Sequence, residues 1–350
     1  ATECWGEYMH DPKEMPARLA RFLAEQEPGW GRVEVTSYEV MTGGYSRLLA
    51  KADVRHTGGS TTLVLRGDPP KDKQLIDTDR GQEFEVLSSV ARHGVRTPRA
   101  LYFDDSGSGL GTRALVIEYS SGESLIPYAA AGGNLDGLTE RLAEAMASFH
   151  SIPLADLPSR LVRPASWSEY IGTRIDEWRR SGMNHVEDLP ILRYISAWLD
   201  AHRPAEVPLA LIHGDCSTAN MMLTPDRHIE LLDWELAAIG DPREDIGYHL
   251  ANAMAIPPNL LDGDRVEVFC RRYRELMGWN EQQLNPIVVN YFMVLGVIGV
   301  VTKLLVSMAD YARGTNHLLA SAFNMQAIMF GGGMWIDATK GLEAVLEGKG

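Results

Sequence analysis

Three runs rich in β-branched residues, VEVTSYEV (33–40), RLLAKADVR (47–55) and TTLVLRGD (61–68), follow one another with only MTGGYS and HTGGST between them. Gly pairs at such spacings supply the backbone that tight hairpin turns require, so this stretch is committed to an antiparallel sheet. Ahead of it, MPARLARFLAEQ has the spacing of a short amphipathic helix through Leu19, Phe22 and Leu23. After it, QEFEVLSSVAR restores helical spacing up to Gly94, and RALYFDD and RALVIEYSSGESL return to strand character. Beyond Tyr119 the pattern is mainly helical, with helices expected over residues 138–150, 167–180, 191–202, 245–254 and 265–277 and another near Ile287. The expected fold class is α+β: a small β-rich lobe over residues 1–118 precedes a larger helical lobe over residues 119–350.

Composition agrees with two lobes, because single cores stop growing near about 250 to 300 residues and this chain has 350. Its 33 Lys and Arg stand against 47 Asp and Glu, a formal charge of −14. That balance argues against nucleic acid or an anionic membrane as partner and suits a cationic or uncharged small molecule, although ordinary solubility explains it equally well. The three cysteines, Cys4, Cys216 and Cys270, have no CxxC spacing, which suggests neither a disulfide framework nor a zinc site and fits a reducing cytoplasm. The first residues, ATECWGEYMHDPKEM, lack the basic and apolar regions of a signal peptide. IVVNYFMVLGVIGVVTKLLVSM (287–308) is long enough to span a bilayer, but Asn290, Thr302 and Lys303 interrupt it, and a buried core helix is the expectation.

The most unusual stretch is LIHGDCSTANMMLTPDRHIELLDWE (211–235). A short apolar strand enters a loop carrying Asp215, Asn220 follows five residues later, and MML and IELL form two strands joined by a turn at Pro225 and Asp226. Asp233 ends the second strand, and a hairpin returns its end toward its start, so Asp215, Asn220 and Asp233 are expected to converge. Converging oxygen ligands at a strand end suit Mg²⁺, with waters and phosphates completing the octahedron.

HGDCSTAN followed by LLDWELAAIGDPREDIGYHL resembles the paired signatures of the aminoglycoside phosphotransferase and choline kinase family, which has a protein-kinase-like, bilobal fold. TLVLRGDPP, QEFEVLSSVARHGVRTPRALYFDD, EYIGTRIDEWRR and ISAWLDAHRP are similar to the branch found fused to some acyl-CoA dehydrogenases. The resemblance implies ATP and Mg²⁺ as cofactors, Asp215 as catalytic base toward an acceptor hydroxyl, and Asn220 and Asp233 as metal ligands. It also implies supporting roles for His213 in the loop and for Asp245 beneath it. Asp241, Pro242 and Glu244 read as a cap for the next helix. A metal role for Asp245 with His249 is the competing reading. Cys216 reads as a packed small residue.

In kinase-like folds a strand Lys contacts the phosphates and pairs with a helix Glu; here that position is Arg66. Glu83 is the expected partner, with Glu85 as competitor. Gly43, Gly44, Tyr45 and Ser46, in TGGYSR, stand where a phosphate-covering loop would sit, although any hairpin uses such a Gly pair. VIEYSSG resembles the family hinge, where backbone groups of Glu118, Tyr119 and Ser120 would meet adenine. Glu169, Tyr170, Arg174 and Trp178 lie where the family usually builds its acceptor site, although core packing explains the aromatics too. The implied function is phosphoryl transfer from ATP to a small-molecule hydroxyl, the acceptor being a hydroxyacyl-CoA thioester or an aminoglycoside; a nucleotide-binding pseudokinase is the alternative from another class.

Overall fold

The computed structural model describes residues 14–41, 48–68, 79–185 and 190–296, and these divide into two compact units. The first holds the described residues up to Gly122 together with Leu232–Leu236; the second holds those from Glu123 to Leu231 and from Ala237 onward.

In the first unit, α1 (Met15–Gln26) buries Met15, Leu19, Phe22 and Leu23, the residues three and four apart that make one helix face. Strands β1 (Glu34–Val40), β2 (Leu48–His56), β3 (Gly59–Gly67), β4 (Ala100–Asp104) and β5 (Ala114–Glu118) form one antiparallel sheet in the order β1-β2-β3-β5-β4. Alternate residues of β2 (Ala50, Ala52, Val54), β3 (Leu63, Leu65) and β5 (Ala114, Val116) join the α1 face in the core, as a period of two dictates. The β2–β3 hairpin closes with His56 opposite Gly59, so Thr57 and Gly58 make the turn expected from HTGGST. The other Gly-pair loop, with Gly43, Gly44, Tyr45 and Ser46, lies outside the described residues. Helix α2 (Arg80–Arg92) starts with the Asp79 carboxylate accepting from the Gly81 amide at 2.9 Å.

The second unit contains β6 (Glu123–Ser124), α3 (Leu125–Ala130), α4 (Leu138–His150), α5 (Trp167–His185), α6 (Pro190–Ala201), β7 (Ala210–Ile212), β8 (Met221–Leu223), β9 (Ile229–Leu231), β10 (Ala238–Gly240), α7 (Arg243–Ala255) and α8 (Arg265–Met277). Its strands make two small sheets, β6-β8-β9 and β7-β10. Helix α4 is tied to α8 by His150 Nδ1 and the Tyr273 hydroxyl, 2.8 Å apart in the buried interior. The helices differ from expectation in that α3 has no counterpart among those expected, α5 runs past Arg180 to His185, α6 is shifted by one residue, and α7 starts at Arg243 rather than Asp245.

Residues 286–296 are helical and bury Val288, Val289, Tyr291, Phe292, Met293, Val294 and Leu295. The helix packs against α7 closely enough that a Cβ on Gly247 would collide with backbone atoms of Phe292 and Met293. Among the described residues no helix is long and apolar enough to cross a membrane. Residues 297–308 of the apolar segment lie outside them.

Candidate active site

In the first unit the chemistry gathers around Arg66 on β3, which is only 7% exposed. Its Nη1 pairs with Glu83 Oε1 at 2.8 Å, its Nη2 with Asp233 Oδ1 at 2.5 Å, and Glu235 lies 3.7 Å away. A planar fork serves two carboxylates at once, which a single ammonium on a flexible stem does less well. Burial alone would disfavour the charge, but Glu83, Asp233 and Glu235 outweigh it and hold the guanidinium protonated above its ordinary value.

The partner of Arg66 on α2 is thus Glu83. It also receives Arg80, a fully buried residue that sequence reasoning missed, whose Nη2 reaches Asp68 Oδ1 at 2.7 Å. Spacing held the signal, since Arg80 is three residues ahead of Glu83 on one helix face. Two guanidiniums here meet four carboxylates, Asp68, Glu83, Asp233 and Glu235, in one ion-pair network. Asp233 has φ 66°, a left-handed conformation uncommon for a residue with a side chain, and Trp234 beside it is anchored by its Nε1 donating to Thr97 Oγ1 at 3.0 Å. Backbone strain of this kind is characteristic of functional positions.

At the end of β5, the Glu118 amide donates to the Arg99 carbonyl at 3.0 Å and the Tyr119 amide to the Thr62 carbonyl at 3.4 Å. The Arg99 guanidinium bonds the Glu118 carboxylate and holds it below the usual carboxylate range. Tyr119 is exposed, with Lys51 Nζ 4.7 Å from the centre of its ring. Ser120 Oγ accepts from the Gly122 amide at 3.3 Å.

In the second unit the loop after β7 is held from α7. Asp245, 1% exposed, accepts from the His213 amide at 2.7 Å and the Gly214 amide at 2.9 Å. Gly214 has φ 80°, so the turn before Asp215 needs glycine. His150 Nε2 lies 3.0 Å from Asp245, completing the carboxylate's shell. His213 is fully buried, and its Nδ1 accepts from the Asp215 amide at 3.3 Å. Asn220, at the end of the turn Thr218–Asn220, donates from Nδ2 to both the carbonyl and Oδ2 of Asp215, each at 3.0 Å. The single amide thereby closes the loop and orients the carboxylate, while Asn220 Oδ1 is left for another partner.

Of the alternative metal pair, Asp245 is engaged as described, and His249 Nδ1 donates to the Cys216 carbonyl at 3.1 Å. Among the described residues no group of three or more His, Cys, Asp or Glu could hold a metal ion. Burial, with Asp245 and Asp215 nearby, pushes the Cys216 thiol well up, so it is no nucleophile.

Asp241 does more than cap α7. Its Oδ1 accepts from the Arg243 amide at 2.9 Å, but the fully buried carboxylate also receives the Arg243 guanidinium and, at 2.6 Å, Trp167 Nε1. Arg243 Nη1 in turn donates to the carbonyls of Ala205 and Gln283, both at 2.9 Å. Glu244, expected within the cap, instead takes Arg174 at 3.0 Å and stands beside Tyr170. Its burial outweighs the guanidinium, so its carboxyl is pushed up. Of the residues expected to form an acceptor face, Tyr170 is buried and Arg174 is spent on Glu244 and Glu177. Glu169 caps α5, its amide bonded to Ser166 Oγ and its carboxylate to the Ala165 amide, each at 3.1 Å. The Trp178 side chain lies outside the described residues.

The rat acyl-CoA dehydrogenase family member 11 (Rattus norvegicus) is 24% identical over 295 residues, 75% of this chain and 36% of that protein. The chain therefore spans well under half the length of that relative. Among solved structures, a provisionally assigned aminoglycoside phosphotransferase from Ralstonia eutropha superposes with a TM-score of 0.69 at 20% identity, covering 93% of this chain and 98% of the other. The GDP complex of aminoglycoside 2'-phosphotransferase-IIIa gives a TM-score of 0.59 at 15% identity, over 89% and 97% of the two chains. These likenesses establish an α+β kinase-like fold. Residues 46–279 match the pattern of the Phosphotransferase enzyme family (APH), two thirds of the chain and nearly every residue just described, and the chain belongs to that family.

Proposed function

We propose that the protein transfers the γ-phosphoryl group of ATP to a hydroxyl of a small molecule, with Asp215 as the base. The observation that carries this reading is the Asp215 carboxylate on a backbone pinned by Asp245, with one oxygen held by Asn220. As the acceptor oxygen bonds to the γ-phosphorus and the bond to ADP breaks, the acceptor proton passes to Asp215. Because little covalent help is needed, orientation of the acceptor does most of the catalysis.

Asn220 and Asp233 would offer the hard oxygen donors that Mg²⁺ takes. These two residues would hold the ion, which would supply positive charge to offset that of the phosphates. Arg66, fixed by Glu83, supplies positive charge to the phosphates, and Gly43, Gly44, Tyr45 and Ser46 supply backbone amides. The Glu118 and Tyr119 amides are used within the sheet, so adenine is met by other backbone groups of Glu118, Tyr119 and Ser120. Nucleotide use is supported by the GDP complex of the structural neighbour.

For the acceptor we favour a hydroxylated metabolite, a hydroxyacyl-CoA thioester above all, over an aminoglycoside, and a setting in the reducing cytoplasm. The likeness to the acyl-CoA dehydrogenase family member supports that preference. Glu169, Tyr170 and Arg174 are bound up in helix capping and a buried ion pair, so their part is to support the acceptor site rather than to touch the acceptor.

The test is ADP release from purified protein given ATP, Mg²⁺ and panels of hydroxyacyl-CoA thioesters and aminoglycosides. ADP release that depends on a thioester and is lost in Asp215→Asn supports the reading. No turnover with any acceptor, with Asp215→Asn unchanged in nucleotide binding, would favour a pseudokinase.

A further inference from the structure

The Glu83 carboxylate on α2 is divided between two guanidiniums. Its Oε1 forms the ion pair with Arg66 Nη1 at 2.8 Å, and its Oε2 takes Arg80 Nη1. Arg80 turns its other edge to Asp68, whose Oδ1 accepts from Nε at 3.1 Å and from Nη2 at 2.7 Å. Asp68 is a fixed anchor, because its amide donates to the Arg113 carbonyl at 2.9 Å and its carbonyl accepts from Thr112 Oγ1 at 2.8 Å. The four side chains alternate in charge and close a circuit between two elements. Arg66 and Asp68 are two residues apart where β3 ends, and Arg80 and Glu83 are three apart on α2, so each pair shares a face. Arg66, Arg80 and Glu83 are all buried. Burying a second guanidinium carries a desolvation cost that an apolar side chain would avoid, so its contribution lies in geometry. One ion pair fixes the distance between strand and helix; a second beside it also fixes the direction in which Glu83 faces.

We propose that Arg80 is a positioning residue for Arg66: by holding Glu83 Oε2 it turns Oε1 toward Arg66 and so sets the Arg66 guanidinium for the phosphates. This rests on the reading that Arg66 supplies positive charge to the phosphates. Both edges of Arg80 are taken by Glu83 and Asp68, so it acts only through its neighbours. A side chain locked by buried partners meets its ligand without a further ordering cost, which is what the circuit gives Arg66.

The test compares ATP with adenosine, which lacks the phosphates, by calorimetric titration of the full chain in the presence of Mg²⁺. Arg80→Lys keeps the charge but cannot serve both carboxylates with one planar fork. It should raise the Kd for ATP by about tenfold, the equivalent of one charge-assisted hydrogen bond, and leave the Kd for adenosine unchanged. In an Arg66→Met background the same change should weaken ATP no further. Unchanged ATP binding in Arg80→Lys, an equal loss for ATP and adenosine, or the same loss in both backgrounds overturns the proposal. Arg80→Met combined with Asp68→Asn removes one charge of each sign, keeps the remaining charges balanced and should show the same selective loss. Failure of both variants to fold would assign Arg80 to stability alone and overturn the proposal as well. A wild-type protein that binds ATP no more tightly than adenosine overturns the reading of Arg66 at the phosphates, and this inference falls with it. A wild-type preference for ATP that survives Arg80→Lys overturns this inference alone.

Discussion

Arg66 and Asp233 are 167 positions apart in the chain, yet the guanidinium of one donates to the carboxylate of the other at 2.5 Å. The same guanidinium holds Glu83, so one side chain joins β3, α2 and the segment after β9. Removing one member of a buried pair leaves the others uncompensated, and Arg66→Ala should cost about 3 kcal/mol or more. Arg66→Lys should recover part of this, because an ammonium serves one carboxylate better than two. Thermal melts of the two variants against wild type check the order; equal melting temperatures for all three would contradict it.

Variants of Asp233 separate its proposed metal role from its backbone strain. Its φ of 66° favours glycine, so Asp233→Gly should be more stable than Asp233→Ala by about 1 to 2 kcal/mol. Both should lose the stabilisation that ATP with Mg²⁺ confers in a thermal-shift assay. Retention of that stabilisation by either variant would rule out Asp233 as a ligand.

Asp215→Asn should leave ATP binding intact and reduce transfer by about a hundred- to ten-thousandfold, the usual contribution of a general base. Single-turnover measurement of ADP formation reads this directly. A loss of ATP binding in proportion to activity would place Asp215 in the nucleotide site instead.

His249 gives the fold an acid-sensitive element. Burial lowers its imidazole from 6.5 to about 4, so it is neutral when folded and binds a proton more readily when the chain unfolds. The stability it contributes is complete above pH 6.5 and is lost as the pH falls toward about 4, by up to about 3 kcal/mol. His249→Asn keeps a donor near the Cys216 carbonyl and removes the titration. Its melting temperature should therefore vary less with pH over that window than the wild type's.

Gly247 lies inside α7, where glycine ordinarily weakens a helix. A Cβ there would meet the backbone of Phe292 and Met293, which no side-chain rotation can relieve. Gly247→Ala should destabilise the protein by about 1 to 3 kcal/mol despite its better helix propensity. An unchanged or raised melting temperature would show that the two helices can separate.

Much of the fold was legible because local periodicity carries it. The spacing of Leu19, Phe22 and Leu23 predicted α1, and HTGGST predicted the turn at Thr57 and Gly58. The sheet order was not legible: β5 lies between β3 and β4, and nothing in the strands themselves encodes their neighbours. Of the candidate site, the hairpin spacing pointed to Asp215, Asn220 and Asp233, and the family resemblance pointed to Arg66 with Glu83. Sequence alone missed Arg80, Trp167 and Arg243, whose partners are distant in sequence or hidden behind a plausible local role. Asp241 and Glu169 show the same limit from the other side, since each does cap a helix and only the first is also the centre of a buried network.

The sequence alone therefore determined the secondary elements and the family, because both reside in short-range patterns of polarity, turn residues and motif spacing. Only the tertiary structure decided which charges meet. Arg66 chose Glu83, Glu244 took Arg174, and Asp241 took Arg243 and Trp167, because burial makes an unpaired charge or polar group costly and rewards whichever partner the packing brings within reach.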